Sequence, residues 1–160
     1  MGKENVDKEK VKRGEEILRG IKTLKKLAEA EREEAARLRE MAKGNSLLWD
    51  GERAGIRRRQ DAGRRLLEAE ERWARDAERL ARQEAQAARA MEKMDARECL
   101  LLHLRWLRGC TWEGVGMRLY VCERTARRMH GAALCHFAEA YENCGQEEQE
   151  CGADNLKPAS

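Results

Sequence analysis

The sequence predicts an all-α protein in which a long N-terminal helical hairpin, coiled-coil-like, precedes a compact helix-turn-helix domain. Three observations carry that expectation. Apolar residues recur alternately every four and three positions over two long stretches, which is the spacing of a coiled-coil seam. The single proline is Pro158, so no proline interrupts a helix between Val6 and Tyr141. Finally, 39% of residues are charged and only 4% aromatic, a balance that suits long helices with solvated faces better than one large core.

The first helix is expected over residues 9–43, with a seam of Ile17, Ile21, Leu24, Ala28, Glu31, Ala35, Leu38 and Ala42. Gly44, Asn45 and Ser46 close it, and the polar stretch to Gly55 turns the chain. The second helix, residues 56–94, repeats the pattern with Ala62, Leu66, Ala69, Trp73, Asp76, Leu80, Gln83, Ala87, Ala90 and Met94. Two helices of similar length with facing stripes make an antiparallel hairpin. Their seam is rich in alanine and interrupted by Glu31, Asp76 and Gln83, so a second copy is one way to bury more surface, and a homodimer through residues 1–94 is one expectation. Arginines crowd the second helix, but Glu68, Glu70, Glu71, Glu78 and Glu84 interleave with most of them at i,i+3 and i,i+4 spacing. The reading is a solvated, salt-bridged surface, with the cluster from Arg57 to Arg65 as the exception.

Asp95 caps a third helix that ends near Arg108, where Gly109 stops it. Thr111 caps the next, and Gly114 stands where a Glu or Gln would complete a capping box. A twenty-residue unit from Trp112 then places Val115, Leu119, Val121, Ala126 and Met129 inward and Gly116 where two helices approach closely. The ninth position, which favours Gly because a tight turn needs positive φ, holds Tyr120. The last helix is expected from Cys122 to Tyr141, with Met129, Ala133, Leu134 and Phe137 on its inner face. Its outward face carries Glu123, Arg124, Arg127 and Arg128, long side chains suited to a major groove and its phosphates. Residues 95–142 are therefore read as a DNA-binding domain, with Thr111 and Arg105 positioning the DNA backbone, and residues 143–160 as a mobile acidic tail.

Charge is distributed unevenly: residues 1–44 carry +3, 45–94 +2, 95–140 +2 and 141–160 −4. A dedicated non-specific nucleic-acid binder shows a stronger basic bias, so the argument for double-stranded DNA rests on the placement of three arginines on one helix.

From Arg97 to Phe137 the chain resembles region four of bacterial primary sigma factors, through Arg97, Glu98, Leu102, Arg105, Thr111, Glu113, Val115, Gly116, Val121, Arg127, Ala133 and Leu134. Trp112-Glu113, Arg124-Thr125 and the run from His130 to Leu134 are similar to phage and prophage regulators of the ArpU and RinA type, in which a sigma-like helix-turn-helix follows a helical N-terminal half. The resemblance covers about a quarter of the chain. It implies a transcription regulator that binds promoter-like DNA and rests on the flap of the RNA polymerase β subunit. Primary sigma factors carry Arg then Glu at the first exposed positions of the recognition helix; here Glu123 precedes Arg124, and Arg128 replaces an amide, so the usual −35 sequence is not the expected site. Cys122 stands where Ser or Thr normally caps this helix.

Other chemistry finds little support. Six cysteines, at 99, 110, 122, 135, 144 and 151, include no Cys-x-x-Cys pair and are read as reduced thiols; zinc held by Cys135, His136, Cys144 and Cys151 is the residual alternative. No arrangement of His103, His130 or His136 suggests a nucleophile, so neither enzyme activity nor a cofactor or metal is expected. Trp106 and Trp112 are assigned to the core of the small domain. No apolar run reaches the length of a membrane span, and a cytoplasmic, nucleoid-associated protein of a bacterial host is expected. Two alternatives to a regulator stand: a small terminase subunit, and a protein-binding module that grips RNA polymerase or another sigma without reading DNA.

Overall fold

A computed structural model describes residues 7–43 and 52–154, and the fold is all-α. The elements are α1 (Lys8–Ala42), α2 (Glu52–Glu92), α3 (Ala96–Leu102), α4 (Trp112–Leu119) and α5 (Glu123–Asp154). A π-helical turn, His103–Leu107, continues α3 directly. The loop expected at Gly44, Asn45 and Ser46 lies outside the described residues. No helix among those described is long and apolar enough to cross a membrane.

Contacts divide the described chain into two compact units, residues 21–43 with 52–82, and residues 7–20 with 83–154. In the first unit the predicted seam is present. Ile21, Leu24, Ala28, Ala35 and Leu38 are buried on α1, Ala62 and Ala69 on α2, and Leu66 packs against Ala35, Leu38 and Ala69. Trp73 occupies a seam position yet stays 36% exposed, because an indole is too large for a gap set by alanines. Arg39 bonds Glu70 at 2.6 Å, and Arg72 reaches Glu34 at 3.7 Å and Glu31 at 4.0 Å.

Glu31 is the misfit of that seam. Its Oε2 is buried with no hydrogen-bond partner. Burial, followed by repulsion from Asp76, pushes its pKa above the ordinary carboxylate range, against the attraction of Arg72. A raised carboxyl pKa means that the folded state resists ionisation, so the penalty is present at neutral pH and disappears as acid protonates the group.

The second unit is built around α5. Ala126, Ala133, Leu134, Phe137, Ala138 and Cys144 are buried along it, together with Leu101, Leu102 and Leu104 from the α3 segment, Val115 and Leu119 from α4, Leu18 from α1, and Ala87 and Ala90 from α2. The N-terminal part of α1 lies directly on α5, since a Cβ at Gly14 would sit 2.5 Å from the Leu134 carbonyl oxygen. Lys10 pairs with Glu139, and Arg13 with Glu142 at 3.4 Å. From α2, Gln86 Nε2 donates to the Tyr141 carbonyl at 2.8 Å, and Lys93 meets Glu147 at 2.9 Å.

Two expectations are revised here. The compact units do not divide at residue 94, because the ends of both long helices share buried positions with α3, α4 and α5. Residues 143–154 are helix rather than an acidic tail. The polar composition of that stretch conceals an inward stripe that runs from buried Phe137 through half-buried Tyr141 to buried Cys144.

Two stability tests follow from this packing. Gly14→Ala drives a methyl into the α5 backbone and should cost about 1–3 kcal/mol, whereas Gly20→Ala meets open space and should gain ~0.5–1 kcal/mol from helix propensity. Urea unfolding of both variants checks this; equal effects would contradict the close approach. Glu31→Leu should stabilise the protein by ~1 kcal/mol at pH 7. That gain should shrink on acidification as the wild-type carboxyl takes up its proton, measured as the difference in unfolding midpoint between pH 7 and pH 4.

Candidate nucleic-acid interface

The helix-turn-helix is assembled by capping and by one tight contact. Asp95 accepts from the Arg97 N–H at 2.9 Å, and Thr111 Oγ1 from the Gly114 N–H at 3.2 Å, so both predicted caps form. Gly109 takes φ +65 and lets the chain reverse, with the Cys110 N–H reaching back to the Leu104 carbonyl at 2.9 Å. The π-turn widens the end of α3 by one residue, through the Arg108 N–H bond to the His103 carbonyl at 3.1 Å.

Between α4 and α5 the sequence expectation at Gly116 is met. A Cβ there would lie 2.7 Å from the Val121 carbonyl oxygen and 3.5 Å from the Glu123 nitrogen. Tyr120 takes the left-handed conformation, φ 56 and ψ 43, as the turn demands, and its side chain is 94% exposed. In that conformation it caps α4, and the Val121 N–H reaches the Gly116 carbonyl at 3.0 Å. Arg97 donates to the Leu119 carbonyl at 2.9 Å and so ties the start of α3 to the end of α4.

α5 begins after Cys122, whose carbonyl accepts from the Ala126 N–H at 3.0 Å. The Cys122 sulfur lies 3.2 Å from the Thr125 hydroxyl. That hydroxyl first, then the Thr125 and Arg124 backbone N–H groups, hold the thiol below its ordinary pKa. The sulfur thus takes a hydroxyl partner at the start of the helix, where an oxygen cap is usual.

Of the expected site residues, two meet over one ring and two more lie beside them. Arg105 lies over the Trp112 indole at 4.7 Å and Arg127 over the same ring at 5.3 Å. Glu123 holds Arg127 through Oε1 at 2.6 and 2.9 Å. Thr111 is next to the same tryptophan in sequence, and its hydroxyl is engaged in capping; Arg105 also donates to the Cys110 carbonyl at 2.9 Å. Arg124 and Arg128 are different. Both are exposed and make no hydrogen bond or ion pair among the described residues.

Sequence reasoning missed the hub of this arrangement. Trp106 Nε1 donates to His130 Nε2 at 3.1 Å, and the Trp112 ring meets His130 edge-on at 4.9 Å. Burial first, and then the positive charge of Arg105, push the His130 pKa down to about 4. Protonation would also set one N–H against another at the Trp106 bond. The two tryptophans are partly buried, as expected, but neither their clustering on His130 nor the π-turn that carries Trp106 has a spacing signal. Cys135 and Cys144 share no site with His136, whose Nδ1 lies 2.9 Å from Glu98; among the described residues no group of His, Cys, Asp or Glu could hold a metal ion. The Cys151 side chain is outside them. Comparison with protein-family models, with curated proteins and with solved structures finds no match.

His130 gives the domain an acid sensitivity of predictable sign. Its folded pKa lies below the unfolded value of 6.5, so stability is full above pH 6.5 and falls as pH drops toward 4. With the ring in partial contact with water, the loss should be on the order of 2 kcal/mol. Histidine chemical shifts followed with pH should place His130 near 4, and His130→Phe should flatten the acid limb of stability. Titration near 6.5 would contradict the buried, neutral ring.

Proposed function

We propose that this protein is a sequence-specific, DNA-binding transcription regulator of phage or prophage type, and that the first two turns of α5 enter the major groove. The supporting observation is the pair Arg124 and Arg128, four apart on α5, exposed and without a hydrogen bond or ion pair among the described residues, while Arg105 and Arg127 of the same site are paired or stacked. A guanidinium left free in this way retains all five donors for guanine edges or phosphates. Arg127 is held by Glu123 and Trp112 and supplies positive potential from a fixed place, and Arg105 and Thr111 set the start of α4 against it. The sigma-like resemblance of residues 97–137 points the same way, and it adds the β-subunit flap of RNA polymerase as a partner. The helical hairpin suits either a monomer or a homodimer. A protein-binding role is the second reading, favoured by the exposed apolar side chains Leu100, Leu107, Met117 and Tyr120 on the same unit.

The test is selection from random duplexes followed by salt-titrated binding. Arg124→Ala should relax sequence preference, because one bidentate guanine contact is worth about 1–3 kcal/mol of discrimination. Arg127→Ala should weaken all sites alike and lower the salt slope by about one. A folded triple alanine variant at Arg124, Arg127 and Arg128 that binds as tightly as wild type would transfer the function to the protein-binding reading.

A further inference from the structure

Arginine is abundant on α2, but its surroundings change along the helix. Toward the middle, Arg72 reaches Glu31 and Glu34, and Arg82 reaches Glu78 at 3.7 Å. Near the start of the helix the carboxylates thin out. Arg57, Arg58, Arg64 and Arg65 stand at i, i+1, i+7 and i+8, which places them within about 120° of arc on one helical face. All four are exposed. Arg57 and Arg65 have no hydrogen bond or ion pair among the described residues, and Arg64 has only Asp61, at 3.5 Å. Asp61 sits in the middle of the face and Glu68 just past its C-terminal end, two carboxylates against four arginines.

From this juxtaposition we infer that residues 57–65 of α2 form a second DNA contact, one that grips the phosphodiester backbone and carries no base preference. The inference rests on the DNA-binding reading above. Eight residues of helix advance about 12 Å, a length along which duplex DNA presents roughly seven phosphates. Guanidinium groups suit that surface because each offers a planar fork to a phosphate. The seam side of this part of α2 is already used by Ala62 and Leu66, so the arginine face lies away from that packing.

The experiment compares four full-length proteins by salt-titrated binding to a long duplex carrying the selected site: wild type, R57Q/R64Q/R65Q, D61N, and the control K22Q/K25Q/K26Q, which removes the same charge from exposed positions of α1. Circular dichroism verifies helicity. The first variant should lower the salt slope by about two to three without changing the selected sequence. D61N, which uncovers the face, should tighten binding, a gain that no loss of folding can imitate. The control should alter the slope by less than one. If R57Q/R64Q/R65Q matches wild type or the control, the inference is wrong, even where the α5 triple alanine variant has lost binding and the main reading stands. If instead that α5 variant binds like wild type while R57Q/R64Q/R65Q loses affinity, the reading of α5 fails and the contact on α2 stands. Loss of co-sedimentation with anionic phosphatidylglycerol vesicles at unchanged duplex affinity would assign the face to a lipid surface and overturn the proposal.

Discussion

The second compact unit depends on two approaches closer than any side chain permits, one onto α5 and one onto the turn that precedes it. Gly14 of α1 faces the Leu134 carbonyl, and Gly116 of α4 faces that of Val121. In each case the missing Cβ lets one helix or turn rest on bare backbone, which fixes separation as well as direction. Close packing on this scale is intolerant of added volume. The benefit is that Val115, Leu119, Ala126, Ala133, Leu134 and Phe137 are buried completely or nearly so, although the domain has few large side chains.

That geometry sorts the arginines by environment. Arg97 is spent on a carbonyl at the end of α4, and Arg105 on Cys110 and the Trp112 ring. Arg127 is shared between Glu123 and the same ring. Arg124 and Arg128 make no hydrogen bond or ion pair among the described residues, and under the functional reading these two meet guanine edges or phosphates. The neutral His130 is consistent with the same arrangement: a third positive charge beside Arg105 and Arg127 would loosen the cluster that positions them.

How much of this was legible depended on whether the interaction was local. Caps at Asp95 and Thr111, the stop at Gly109, the close approach of Gly116 and the seam from Ile21 to Leu38 all follow from residue type and short spacing, and all are present. The role of Gly14 was not legible, because it answers to a backbone carbonyl 120 residues away. The helical stretch from Asn143 to Asp154 was missed because Cys144 is the one buried side chain among those described in it, and its contacts come from Gln86 and Lys93. Within the candidate site, the outward positions of Arg124 and Arg128 could be read from helical periodicity. The capture of Arg127 by Trp112 could not, since it depends on the packing of α4 against α5.

The central claim is that a rigidly held α5 presents only its first turns to DNA. Hydrogen–deuterium exchange of the full chain, with and without a selected duplex, tests it most directly. The account predicts slow exchange along α5 from Ala126 through Cys144 in the free protein, and new protection on adding duplex around residues 120–128. Unchanged exchange across residues 120–128 at saturating duplex would contradict it.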